Sequence, residues 1–300
     1  MTPFFPRDRT FIIAEAGINH NGSLAMAMRL VDAAVEAGAD AVKFQTRTPH
    51  MSLPPHLWDV ERDTPWGKRM TYLEYRQKIE LSPRDYQLLT IHCRSREIIF
   101  SSSPWDINAA DKVYGLGAPF IKIASASVTN LPLVEHIASF GKPVVMSTGM
   151  CTLGDIEAAV ALLEGKVPDL AILACTSTYP AKTEDLNLAR IHTLQDTFPQ
   201  AVIGYSGHEP GLPTTVCAVA LGAKVIERHI TLDRSLPGTD QAASVEPEGF
   251  KRLVRDIRNF EKALGSPAIR VLDCEKASIE RLRGPQNVVT GASQEPSVLH

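Results

Sequence analysis

The chain has 300 residues, 44% hydrophobic and 22% charged, with a formal net charge of -3, which suits a globular protein with one big core or two modest ones. A balance this near neutral offers no broad field for nucleic acid or a membrane surface. No run of about 18 apolar residues is present to span a bilayer, and the start MTPFFPRDRTFIIAEAG lacks the basic-then-apolar pattern of a secretory leader.

In chain order, Phe11–Glu15 is a short apolar run ending on a carboxylate, followed by the loop GINHNG. Ser23 caps a helix whose apolar positions Leu24, Met28, Val31 and Val35 share one face, and Gly38 ends it. Asp40–Phe44 is a second strand, with Lys43 and Gln45 at its end. The residues from Arg47 to Leu81 form a long polar and aromatic insert; loops of that length are more often functional than idle. Ser82 and Pro83 open the next helix. Strands are then expected at Ile98–Ser101, Pro119–Ile123, Pro143–Met146, Leu170–Ala174, Ala201–Ile203 and Lys224–Ile226. A helical stretch follows each, the last being Pro247–Leu264 with Phe250, Leu253, Ile257 and Phe260 on one face.

Eight strand–helix units in this length predict a closed (β/α)8 TIM barrel, with an open doubly wound sheet as the alternative. The early strands carry no GxGxxG turn, which weakens a dinucleotide reading. Catalytic groups of such barrels sit at the C-terminal strand ends. Those ends supply Glu15, Lys43, Gln45, Ser103, Lys122, Ser125, Ser147, Ser177, Tyr179, Ser206, His208 and His229, with Asp240 in the loop beyond. His208 and His229 end consecutive parallel strands, so their imidazoles face each other, and with an oxygen ligand they suit a divalent cation such as Mn or Mg, less so Zn. Two lysines ringed by hydroxyls suit a small phosphorylated anion. The bland readings are a rim ion pair for either lysine, cap residues for the serines, a tight loop at His20, and small packing residues at Cys151 and Cys175. The five cysteines are scattered, form no CxxC pair, and fit free thiols in a reducing cytoplasm.

The segments IIAEAGINHNG, VKFQTRTP, RDTPWGKRMTYLEY, FIKIASASVTNLPL, VVMSTGM, CTSTYP, GYSGHEPG and ERHITLDRSLPGTDQAASVEP occur in that order across roughly residues 10–265. Together they resemble the sialic acid synthase (N-acylneuraminate synthase) family. The resemblance implies a barrel that condenses phosphoenolpyruvate with an open-chain aldose such as N-acetylmannosamine, releasing phosphate and a nonulosonic acid. It implies that His208 and His229 bind the metal and that Lys43, Ser103, Lys122, Ser125, Ser147, Ser177 and Ser206 hold phosphoenolpyruvate. Gln45, Tyr179 and Asp240 would contact the sugar, and Glu15 would sit beside the reacting centre. A cytoplasmic enzyme is expected, with no nucleic-acid or membrane partner, and a homodimer is open.

The chain departs from the family pattern at two places. Ser127 stands where a loop carboxylate is common, and residues 267–300 are expected to be a tail too short and polar for the family's antifreeze-like domain. The catalytic domain is therefore expected over residues 1–266, with the insert at 47–81. Three rivals stay open: a sugar- or phospho-acid-binding barrel without turnover, a synthase of another 2-keto-3-deoxy sugar acid, and a Schiff-base aldolase on Lys122.

Overall fold

Side-chain alternation along eight short parallel strands sets the architecture. The computed structural model describes residues 3–283. Its main strands are β1 Phe11–Gly17, β2 Ala41–Thr46, β3 Ile99–Pro104, β4 Ile121–Ile123, β5 Val144–Ser147, β6 Leu170–Cys175, β7 Val202–Gly207 and β8 Val225–His229. In the sheet they run β3-β2-β1-β8-β7-β6-β5-β4. The first and last strands therefore pair, with Glu15 level with His229. At the remaining seam, between β3 and β4, the Ser101 hydroxyl donates to the Phe120 carbonyl over 2.8 Å. The fold is the expected (β/α)8 barrel.

One set of alternating positions faces inward. At the lower level Phe11, Ile13, Ala41, Phe120, Val145, Leu173, Val202 and Val225 form an apolar cluster closed from below by Phe5. The Phe5 ring meets those of Phe11 and Phe120 edge-on at 5.7 and 5.9 Å, and its backbone N–H donates to Asp169 over 2.8 Å. The next inward positions up the strands are polar and line a cavity. The outward positions, such as Ile12, Val42, Ile121, Met146 and Ile172, pack under the helices.

Those helices are α1 Leu24–Ala37, α2 Pro83–Ser95, α3 Ile107–Gly115, α4 Leu131–Ala138, α5 Leu153–Leu163, α6 Arg190–Thr197, α7 Pro213–Ala220 and α8 Pro247–Leu264. Ser23 caps α1 by accepting from the Met26 N–H, and Gly38 closes it in the left-handed region. Capping boxes start α2 (Ser82 with Asp85) and α5 (Thr152 with Asp155).

The insert is more ordered than a loop. It contains an antiparallel pair, Glu61–Asp63 with Arg69–Thr71, and a helix, Tyr72–Ile79, started by a Thr71/Glu74 capping box. Tyr75 and Ile79 pack on Ile18 in the loop after β1, which lays the insert over the C-terminal end of the barrel. Gly22 permits the close approach: its φ is +78°, and a Cβ there would lie 2.3 Å from the Lys78 carbonyl oxygen.

The chain divides into compact units Met1–Ala263 and Leu264–His300. Over the described residues the second holds a short turn, Asp273–Glu275, and a helix, Lys276–Leu282. The expected tail at 267–300 lies beyond residue 283 outside the described residues.

Candidate active site

The polar level of the barrel wall carries two ammoniums and two carboxylates, all buried. Lys43 Nζ lies 2.6 Å from Glu15 Oε2 and donates to Ser103 Oγ over 2.8 Å. Glu227 sits between both lysines, 4.0 Å from Lys43 Nζ and 3.8 Å from Lys122 Nζ, and accepts from Ser206 Oγ over 3.3 Å. Burial pushes the Glu227 carboxyl up, but Lys122 and Lys43 outweigh it and hold it below the ordinary glutamate range. Burial pushes Glu15 up to about 7, against the Lys43 ammonium that favours its ionised form. Lys122 is pushed down by burial, against the pull of Glu227. The result is one carboxylate fixed as an anion and one poised to exchange a proton near neutrality.

Hydroxyls ring this quartet. Ser125 Oγ accepts from the Gly149 N–H over 3.0 Å, and Ser147 Oγ is buried without a hydrogen-bond partner. A Cβ on Gly149 would stand 2.1 Å from Ser177 Oγ and 3.0 Å from Ser125 Oγ, so only glycine lets the backbone come so close to both. Two ammoniums and several hydroxyls around one space make a cradle for a small multiply charged anion.

The histidines stand across the mouth, with ring centroids 5.2 Å apart. Tyr179 covers both, at 4.1 Å from His208 and 5.8 Å from His229. Nδ1 of His208 is 2.9 Å from the Thr176 carbonyl oxygen, which leaves Nε2 as the free nitrogen. Nδ1 of His229 is buried without a hydrogen-bond partner, with Asp240 Oδ2 3.8 Å away. Burial pushes the His229 ring down to about 3, so it is neutral with a lone pair to give. Burial pushes His208 down, but the Cys175 sulfur outweighs it and holds the ring above its ordinary value, so His208 has a lone pair to give only once it loses that proton; deprotonated, two facing imidazoles fit a divalent metal. Among the described residues no group of three or more His, Cys, Asp or Glu side chains is arranged to hold a metal ion.

Gln45 donates to Glu15 Oε1 over 2.9 Å, and a Cβ on Gly17 would touch Gln45, Glu15 and Asp240 together, at 3.1, 3.2 and 3.4 Å. The cavity, about 180 Å³, is lined by every expected site residue except Asp240, which stands at its rim. A larger cavity of about 460 Å³ lies at the opposite, N-terminal end of the strands, beside Asp169 and Phe198, and contains none of these groups.

The NeuB family profile matches residues 30–268. The chain belongs to the NeuB family. It is 41% identical over 276 residues to N-acetylneuraminate-9-phosphate synthase of Homo sapiens, covering 91% of this chain and 76% of that protein. It is 38% identical over 285 residues to N,N'-diacetyllegionaminic acid synthase of Campylobacter jejuni, covering 92% and 83%. The crystal structure of N-acetylneuraminic acid synthetase from Leptospira borgpetersenii, in complex with citrate, superposes with a TM-score of 0.80 at 32% identity, covering 93% of each chain. The protein is an N-acylneuraminate synthase-like transferase.

Within this NeuB-family site, strand-end reading missed Glu227. It lies two residues before His229, so the same period of two that points His229 inward points Glu227 inward one level lower. Trp105, Met150 and Cys175 also line the cavity. Ser127 is buried but does not line it; Ala124, Ser125 and Ala126 do. His20 belongs to the loop beside the barrel, where its Nδ1 accepts from the Gly22 N–H over 3.1 Å.

Proposed function

We propose that this protein condenses phosphoenolpyruvate with an N-acylated, open-chain aldose of the N-acetylmannosamine kind, releasing phosphate and a nonulosonic acid. The observation that carries this reading is the convergence, in one buried cavity, of a lysine–serine cradle and a facing histidine pair. Sialic- and legionaminic-acid synthases among the relatives support the reaction class.

In this reading Lys43 and Lys122, with Ser103, Ser125, Ser147, Ser177 and Ser206, bind the carboxylate and phosphate of phosphoenolpyruvate and turn its C3 toward the acceptor. Gln45, Tyr179 and Asp240 hold the sugar so that its aldehyde carbon meets C3. Fixing both reactants in register is worth on the order of 7 kcal/mol. A divalent metal on His208 and His229, Mn or Mg before Zn, would supply Lewis-acid polarisation of the aldehyde oxygen. Glu15, set near neutrality by its burial, takes the proton from the water that adds at C2, and the lysines stabilise the phosphate as its C2–O bond breaks.

We assign the catalytic domain to residues 1–266, and the five free thiols agree with a reducing cytoplasm. No helix among the described residues is long and apolar enough to cross a membrane. The direct assay supplies phosphoenolpyruvate, Mn and a panel of N-acylated hexosamines and follows phosphate release. Metal-dependent release with at least one sugar is expected, and silence across the panel would overturn the reading.

A further inference from the structure

A buried ion pair stands behind the histidines. Ser206 and His208, and Glu227 and His229, face the cavity. The period of two along β7 and β8 therefore turns Glu209 and Arg228 the other way. Each is the chain neighbour of one histidine, and both are buried, at 0% and 1% exposure. Arg228 Nη1 donates to Glu209 Oε1 over 3.0 Å. The Thr214 and Thr215 hydroxyls donate to the same oxygen over 2.7 and 3.1 Å, and the Tyr205 hydroxyl donates to Oε2 over 2.9 Å.

The pair joins two segments at the point where the sheet stops joining them. The β7–β8 ladder ends with Gly207 opposite Arg228. Beyond it the Arg228 guanidinium makes the connection: Nη2 donates to the Glu209 carbonyl over 2.7 Å and Nη1 to the Gly211 carbonyl over 3.1 Å. Thr215 stands in the first turn of α7, which draws that helix into the same network. Gly207 leaves the room, since a Cβ there would lie 2.5 Å from Glu209 Oε2 and 3.1 Å from Arg228 Cδ. A buried ion pair adds little net stability over apolar side chains of similar volume, and its best-attested use is to fix register.

What this pair registers is the histidines. On the β6 side His208 is tied by its carbonyl, which accepts from the Ala181 N–H over 3.0 Å, and by Nδ1 at 2.9 Å from the Thr176 carbonyl oxygen. On the β8 side its tie runs through Glu209 to Arg228, whose own neighbour His229 is fixed by accepting from the Val245 N–H over 2.8 Å. We propose that Arg228 and Glu209 are positioning residues that set the separation of His208 and His229, so that both imidazoles reach one divalent cation. This rests on the metal reading of the histidine pair given above and adds the residues that hold the pair in place. Neither lines the cavity; both act through the backbone of the histidine beside them.

The test measures metal affinity, phosphoenolpyruvate affinity and stability separately. Arg228→Lys keeps the charge, but one ammonium cannot reach the carboxylate and both carbonyls at once. Arg228→Met/Glu209→Leu replaces the pair with apolar side chains. Asp169→Asn, at the floor of the barrel where Asp169 pairs with Arg7 at 3.1 Å, is the control for stability lost far from the histidines. Each metal-free protein is titrated calorimetrically with Mn and with phosphoenolpyruvate, and unfolded in urea. Both pair variants should weaken Mn binding about tenfold or more and leave the phosphoenolpyruvate Kd unmoved, while Asp169→Asn should lower the urea midpoint and leave the Mn Kd unmoved. If the double variant does not fold, Arg228→Lys decides. Unchanged Mn affinity in Arg228→Lys, or equal losses of Mn and phosphoenolpyruvate affinity, would overturn the proposal. His229→Ala, titrated alongside, separates the two readings. Mn affinity lost there but kept in the pair variants removes the positioning role alone; Mn affinity kept in His229→Ala removes the metal reading and the positioning role with it.

Discussion

The two sides of the cavity are built in different ways. On the anion side, Lys43, Ser103, Lys122, Ser147, Ser206 and Glu227 stand on barrel strands, with Ser125 and Ser177 two residues beyond the ends of β4 and β6; neighbouring backbones fix the strand Cα positions and the apolar level beneath fixes the direction of each side chain. On the acceptor side, Tyr179 and Asp240 stand off the barrel strands, and Gln45 alone of the expected sugar contacts is on one. Such a division lets one chemistry be kept while acceptors change, because a loop can be re-cut without moving the strands.

The largest expected effect breaks the boundary between the two sides. His229→Ala removes one of two facing donors, and kcat/KM should fall about 10³-fold, the equivalent of about 4 kcal/mol of Lewis-acid stabilisation. Calorimetric titration with Mn should show the matching loss of metal affinity. Metal-dependent turnover within tenfold of the unaltered enzyme would take His229 out of the ligand pair. Next comes the anion side. Lys122→Met deletes one charge-assisted contact, for which the KM for phosphoenolpyruvate should rise about 10- to 100-fold with the acceptor KM unchanged. Equal rises in both constants would place Lys122 between the substrates instead.

The insert gives the converse. Gly22→Ala forces a left-handed backbone on alanine and pushes its Cβ against the Lys78 carbonyl, at a cost of about 2–3 kcal/mol. Because the insert helix must lift to relieve the contact, the acceptor KM should rise several-fold while that for phosphoenolpyruvate stays put. A change confined to phosphoenolpyruvate would sink the picture of the insert as an acceptor wall.

The same division explains what could be read in advance. Strand alternation, glycine stops and Ser or Thr caps are local signals, and they sufficed for the barrel and for the strand-borne site residues. Glu227 was equally local but hidden by attention to strand ends. The insert's length marked it as functional, but the contacts of its residues could not be assigned. The capping box at Thr71 and Glu74 was not read, and the helix it starts takes its place through packing on Ile18, a contact between distant parts of the chain. Ser127 shows the reverse limit: a motif position suggested a sugar contact, yet the turn Ser125–Ser127 presents Ala126 to the cavity and buries Ser127.

The smallest expected effect concerns the hinge between the two sides. Glu80 accepts from the Arg47 N–H over 3.2 Å and from the Tyr86 hydroxyl over 2.9 Å, and Tyr86 in turn belongs to α2. Burial pushes its carboxyl from 4.5 to about 7. Between those pH values the folded protein keeps a proton that the unfolded chain has released. Stability contributed by this group is therefore full below about pH 4.5, declines as pH rises, and is gone above about 7. Since Glu80 keeps some solvent contact, the decline should be about 1–2 kcal/mol rather than the full value of the shift. Glu80→Gln retains an acceptor oxygen for both hydrogen bonds and has nothing to titrate. Urea unfolding at pH 5 and pH 7.5 should show the stability difference, unaltered protein minus variant, shrinking toward the higher pH. A difference that stays constant, or grows with pH, would mean that Glu80 is ionised throughout and that burial does not hold a proton on it.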